Sequence, residues 1–256
     1  MTRPFEKSTP IHYPSSDGKP MADNTRQWNW ITFIKNNIEE ITKGKQIFVA
    51  SDLLWYPVEG NNKFRIAPDV MVAIGRPKGD RNSYLQWKEE HIVPQQVWEI
   101  LSPSNSKKEM ARKLALYESL GVQEYYVYDP DVNQLEIYLR KEKQLQRQDV
   151  GKWTSPLLQF SLVLTKDTLK LYQPSGELFR SFGELVTEAS EARKDASLAR
   201  KDASIAKKDA SLARKDAAKA QKKAIEAQKA ADAAKKKAAL LAAKLKELGI
   251  DPDTLE

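Results

Sequence analysis

Two acidic residues stand in apolar surroundings where a sheet gains nothing from them. Asp69 lies in Ala-Pro-Asp-Val-Met-Val, and Glu99 lies in Val-Trp-Glu-Ile-Leu. A carboxylate buried without a partner costs several kcal/mol, so it protonates, pairs with a cationic side chain, or holds a metal ion. Alternation along a strand puts Val97, Glu99 and Leu101 on one face, with Trp98 and Ile100 on the other. Two carboxylates from neighbouring strands can converge on one hard cation, with water filling the remaining positions. The competing reading is structural pairing of either acid with an Arg or Lys, for example Lys113. Other chemistries are excluded by composition. With no cysteine there is no thiol nucleophile, disulfide, zinc knuckle or iron–sulfur cluster. The two histidines, His12 and His91, have no metal-ligand spacing.

The elements that must position these acids read as follows. Residues 1–20 form a Pro- and Ser-rich arm with a turn signal at DGKP. Asn24 opens a helix whose buried face carries Trp28, Ile31, Ile34, Ile38 and Ile41, stopped by Gly44. Runs 46–58 and 64–74 are rich in β-branched and aromatic residues around the turn EGNN, which predicts a hairpin. Residues 75–91 form a long polar loop. A strand at 95–102 is followed by a capping box, Ser106 with Glu109, and a helix through Met110, Leu114, Tyr117 and Leu120 ended by Gly121. Strands follow at 124–130 and 135–140, with weaker β patterns at 158–165 and 168–174. The order implies an α/β sheet flanked by helices.

The remainder is a different kind of chain. From Ser181 onward there are 17 Lys+Arg against 13 Asp+Glu, alanine dominates, and no Trp or Tyr occurs. That segment therefore carries about +4 of the formal +7, and the body about +3, too little to announce a nucleic-acid binder by charge alone. EARKDAS, LARKDAS, IAKKDAS and LARKDAA repeat with a period of seven over 191–218. Small or apolar residues alternate at spacings of four and three from Ala192 to Leu248, the signature of a heptad seam. With Ala192 at d, Arg193, Arg200, Lys207 and Arg214 occupy e, and Asp195, Asp202, Asp209 and Asp216 occupy g. In a parallel pair Asp195 meets Arg200 of the partner subunit; an antiparallel pair sets Asp against Asp. A solvated single helix or a foreign partner are the other readings, since an alanine seam buries little area. A break at Gly-Ile-Asp-Pro-Asp ends the helix, giving an expected division into an arm (1–20), a domain (21–180), a heptad helix (181–249) and an end segment (250–256).

Pro68-Asp69 followed by Glu99-Ile100-Leu101, in helix–strand–strand–strand–helix–strand order, resembles the PD-(D/E)xK nuclease superfamily. Three stretches narrow this: YPSSDGKPMADN (13–24), ASDLLWYPVEG with RIAPDVMVAIGRPKGDR (50–81), and VWEILSPSN with KEMARKLALYESLGVQEYYVYDP (97–130). They are similar to the Uma-type restriction endonuclease family over about residues 10–180. The resemblance implies a restriction-endonuclease-like mixed sheet flanked by helices, here followed by a long C-terminal α-helix. It further implies that Asp69, Glu99 and the backbone carbonyl of Ile100 bind Mg²⁺ or Mn²⁺ for hydrolysis of DNA phosphodiesters. The superfamily lysine two places after the Glu is Leu101 here, and Lys113 on the next helix is the matching position, one turn before Tyr117. The Gly-Glu pair that often adds an acid is absent, since Lys19 follows Gly18; Asp23 and Gln27 are the nearest substitutes. Arg76, Lys78 and Arg81 are candidate phosphate contacts.

Two functional readings follow. One is a Mg²⁺-dependent DNA endonuclease assembled into a dimer or larger homo-oligomer by the helix. The other is an inactive nuclease fold that uses the helix as an interaction module. The opening MTRPFEKSTPIHYP lacks an apolar run and no stretch approaches the roughly 18 apolar residues of a bilayer span. The expected setting is cytoplasmic, without a signal peptide and without a membrane partner.

Overall fold

The computed structural model describes residues 11–18 and 20–249. The readings placed on residues 1–10, on Lys19 and on 250–256 lie outside the described residues. Two compact units divide the chain, one up to Leu185 and one from Val186.

In the first unit, α1 (Thr25–Ile41) begins at Asn24, whose side chain accepts from the Gln27 N–H at 2.9 Å. Its buried residues are Gln27, Ile31, Ile34 and Ile38. Trp28, expected inside, is 39% exposed, and the polar Gln27 takes the inward position instead. The helix ends at Ile41, and Gly44 sits beyond it in a left-handed turn at φ +74°.

A six-stranded mixed sheet carries the unit, in the order β1-β3-β5-β6-β7-β8. Its strands are β1 (Ile47–Ala50), β3 (Val70–Ile74), β5 (Gln96–Ile100), β6 (Glu124–Asp129), β7 (Gln134–Lys141) and β8 (Gln144–Arg147). Strands β1 and β3 do pair antiparallel, Ile47 opposite Ile74. The run expected to reach residue 58 breaks at Ser51–Asp52, however. Asp52 adopts φ +49°, and Trp55–Tyr56 (β2) leaves to pair in parallel with Tyr84–Leu85 (β4) inside the long loop. That loop also holds a 3₁₀ turn at Gln86–Lys88. Within the six-stranded sheet only β5 and β6 run parallel, a connection that requires a crossover, and α2 (Lys107–Leu120) supplies it. Ser106 caps α2 by accepting from Glu109 N, and Gly121 closes it in the left-handed region at φ +96°.

Alternation sorts the central strands into two cores. Val70, Val72, Trp98, Ile100, Tyr126 and Tyr128 face α1 and a second sheet. That sheet is three-stranded and antiparallel: β9 (Lys152–Thr154), β10 (Ser161–Leu164) and β11 (Leu169–Tyr172). Met71, Ala73, Val97, Tyr125 and Val127 face the α2 side with Tyr117. Covered on both faces, β3 and β5 have almost no polar residue to spare, which makes Glu99 conspicuous. Glu124 fastens the small sheet to the large one, accepting from Gln96 and Tyr126 and from Ser155 and the Leu157 N–H.

The second unit is the body of α3 (Phe182–Glu247), a helix without a single buried residue. Leu198, Ile205 and Leu212 are each more than half exposed along it. Gly249, at φ +72°, follows its last turn.

Candidate functional site

The site forms where the β3–β5 ladder opens. The register Val70–Trp98, carried two places on, sets Ile100 opposite Pro68. Proline has no N–H to give, and the Pro68 carbonyl accepts from Asp52 N at 3.1 Å instead of from Ile100. Both main-chain groups of Ile100 are then met by side chains. Asp69 Oδ2 accepts the Ile100 N–H at 2.6 Å, and Gln27 Nε2 donates to the Ile100 carbonyl at 2.7 Å. The Pro-Asp pair thus ends the ladder and turns a carboxylate towards the end of β5.

Glu99 lies on the face that packs under α2 and is 2% exposed. Its two oxygens have different donors: Tyr117 OH to Oε1 at 2.5 Å and Lys113 Nζ to Oε2 at 2.8 Å. Lys113 and Tyr117 are four residues apart and share one helix face, so both reach down to the strand. Asp69, Glu99, Lys113 and Tyr117 therefore form one neighbourhood, and its electrostatics are coupled. Burial, then the Glu99 charge, pushes the Asp69 carboxyl well above the usual carboxylate range, against the Ile100 N–H and Lys113. Burial alone would lower the Lys113 ammonium, but Glu99, and after it Asp69 and Glu109, outweigh this and raise it. Lys113 is thus a fixed positive charge beside two acids. Burial and Glu99 push the Tyr117 phenol well up, so it is an O–H donor to the carboxylate.

Asp23 and Gln27 border this neighbourhood from the α1 side. Asp23 Oδ2 accepts from Ser102 Oγ at 2.5 Å and from Ser104 Oγ, which ties the Ser-Pro-Ser-Asn segment to the start of α1. Gln27 receives the Asp23 N–H on Oε1 at 2.8 Å while its amide holds Ile100.

The three loop cations have intramolecular partners. Arg76 Nε and Arg81 Nε both donate to Glu89, at 3.0 and 2.6 Å. Arg81 also lies 3.9 Å over the Phe48 ring, and Lys78 Nζ reaches Glu39 O and Thr42 Oγ1. Arg76 and Arg81 are nearly buried and hold the loop onto Glu89, whereas Lys78 is exposed. Lys107, Lys108 and Arg112 are exposed on α2.

Sequence reasoning missed Asp52. Its half-buried carboxyl is raised by burial and then by Asp17, and lowered by Lys113; its own charge in turn bears on Asp69. The signal was the polar Ser51-Asp52 step between two apolar runs. Asp17, just before Gly18, is the arm's acid whose charge reaches Asp52.

The donor set suits a hard divalent cation: the buried Glu99 and the half-buried Asp69 carboxylates, plus a main-chain carbonyl with a second lone pair beyond the one that Gln27 uses. Among the described residues no three His, Cys, Asp or Glu side chains form a metal-holding group. A cation here would rest on Asp69, Glu99, the Ile100 carbonyl and water. No described helix is long and apolar enough to cross a membrane.

A family model described as Uma2, putative restriction endonuclease, matches residues 16–167. No curated protein matches the chain. Among solved structures, the chain is similar to a putative nuclease belonging to DUF820 from Anabaena variabilis ATCC 29413. The identity is 19% and the TM-score 0.40, over 56% of this chain and 80% of that one.

Proposed function

The chain belongs to the Uma2 putative restriction endonuclease family, whose model spans more than half of it, and we propose that it is a Mg²⁺- or Mn²⁺-dependent DNA endonuclease. The observation that carries this reading is the meeting of Lys113 from α2 with Glu99 on β5, beside Asp69 at the opened end of β3. Asp69, Glu99 and the Ile100 carbonyl would hold the cation. When bound, the metal supplies Lewis-acid stabilisation of the phosphate and an acidified water. Lys113 provides the positive charge that the superfamily takes from the strand, and Tyr117 fixes the rotamer of Glu99. Asp23 and Gln27 set the height of α1 against the end of β5.

Family membership favours a DNA substrate. The test is cleavage of supercoiled plasmid in Mg²⁺ or Mn²⁺. Asp69→Ala and Glu99→Ala are expected to abolish cutting with the circular dichroism spectrum unchanged. A wild type that cuts no DNA in either ion, or variants that cut as well as it does, would refute the assignment.

The second unit supports an assembly role. A helix of 66 residues with none buried, bearing Asp at g and Arg or Lys at e over four heptads, suits a parallel pairing with a second copy. Two sites related by a two-fold match the symmetry of duplex strands. Removing residues 181–256 should lower the number of subunits per particle, read from the light-scattering mass divided by the mass of the shortened chain; an unchanged subunit number rejects the pairing. A chain that assembles through α3 but binds no metal and cuts nothing would be the interaction module instead.

A further inference from the structure

Each oxygen of Glu99 already has a donor. Lys113 Nζ lies 2.8 Å from Glu99 Oε2, its side chain is 22% exposed, and the charges of both Glu99 and Asp69 act on it. One ammonium therefore serves as the common counter-ion of both acids, on the oxygen a divalent cation would need. Tyr117, neutral, holds the other oxygen and offers no competing charge. Asp69 and the Ile100 carbonyl are held by main-chain and Gln27 hydrogen bonds, whereas the Lys113 ammonium sits at the end of a partly exposed, flexible side chain.

We propose that Lys113 is a built-in stand-in for the metal: its ammonium fills the cation's place, and loading requires it to leave Glu99. This rests on the metal-site reading above and adds to it. A long four-carbon stem lets the ammonium swing without moving α2. Asp52 feels the Lys113 charge and is a second carboxylate within its electrostatic reach. The free protein then pairs its buried acids in the absence of metal, and the lysine is delivered to the edge of the site only when the ion arrives.

The consequence is opposite to that of an ordinary binding residue. Removing Lys113 should strengthen cation binding while impairing catalysis. Titration of the full chain with Mn²⁺, with free ion counted by electron paramagnetic resonance, should show Lys113→Met and Lys113→Gln binding roughly tenfold or more tighter than wild type. Equal or weaker binding by both variants overturns the stand-in role and leaves the metal site standing. No binding by wild type or either variant overturns both. Binding by the variants alone supports the proposal in its strongest form. If the variants do not fold, a crystal of the wild type grown with Mn²⁺ decides. Lys113 Nζ should then lie beyond hydrogen-bond distance of Glu99; an ion on Asp69 and Glu99 with that contact intact overturns the proposal.

Discussion

Replacing Glu124 tests how the two sheets are held together. This carboxylate has no solvent exposure, and four donors converge on it. Gln96 Nε2 at 2.6 Å, Tyr126 OH at 2.8 Å and Ser155 Oγ at 2.7 Å reach Oε2, and the Leu157 N–H reaches Oε1 at 2.8 Å. Two of the donors come from the large sheet and two from the segment after β9. Glu124→Ala strands all four in a site closed to water. If two find other acceptors, two buried donors left unpaired at about 1–3 kcal/mol each cost about 2–6 kcal/mol, before any cavity contribution. That is a large part of the roughly 5–15 kcal/mol that holds a domain together. Glu124→Gln keeps one acceptor oxygen. If that oxygen takes the Oε2 place, the amide NH₂ faces the Leu157 N–H, a single conflict worth about 1–3 kcal/mol. Urea unfolding followed by Trp fluorescence, with linear extrapolation, should rank wild type above Gln above Ala. An Ala variant within about 1 kcal/mol of wild type would refute the view that this carboxylate joins the sheets.

Other expectations follow from the same geometry. Tyr117→Phe removes the donor to Glu99 Oε1 and should cost about 1–3 kcal/mol in urea unfolding without metal; no change would show that the phenol is dispensable to the buried carboxylate. Burial acts to raise the Glu89 carboxyl, but hydrogen bonds and charge from Arg81 and Arg76 outweigh it and hold it below its usual 4.5. Its stabilising contribution is therefore full above pH 4.5 and fades as pH falls through the lowered value. The stability gap between wild type and Glu89→Gln should be flat near neutrality and narrow in acid, and a gap that widened in acid would contradict this sign. Gly121→Ala meets no atom within 4 Å of the added carbon, so its cost is the left-handed backbone alone. Thermal melting should show a loss of about 1 kcal/mol, and no loss would mean the cap relaxes out of the αL region.

The acids of the candidate site are legible because they violate their surroundings: Asp69 and Glu99 interrupt apolar runs. Lys113 with Tyr117 was legible from helical spacing, and the α2 caps from Ser106, Glu109 and Gly121. What local pattern could not show was pairing between distant residues. Nothing near Gln27 in sequence announces that its amide meets Ile100, and the apolar spacing points inward to Trp28 instead. Arg76 and Arg81 sit on a polar stretch that reads as open, yet Glu89 and Phe48 close around them. Strands β8 and β9 escaped notice because their residues are largely polar and exposed. Asp52 was hidden by the expectation of one unbroken strand, where a left-handed residue bends the chain.

Carrying the lysine on α2 frees the position two places after Glu99. Leu101 stands there and packs against the lower core alongside Met110 and Leu114. A lysine at 101 would have to thread its charge out of that apolar layer, whereas one arriving from the helix enters from above. In the proposed site the strand therefore contributes hydrocarbon at that place, and the positive charge beside Glu99 comes from the helix, outside the hydrogen-bonded rungs of the sheet.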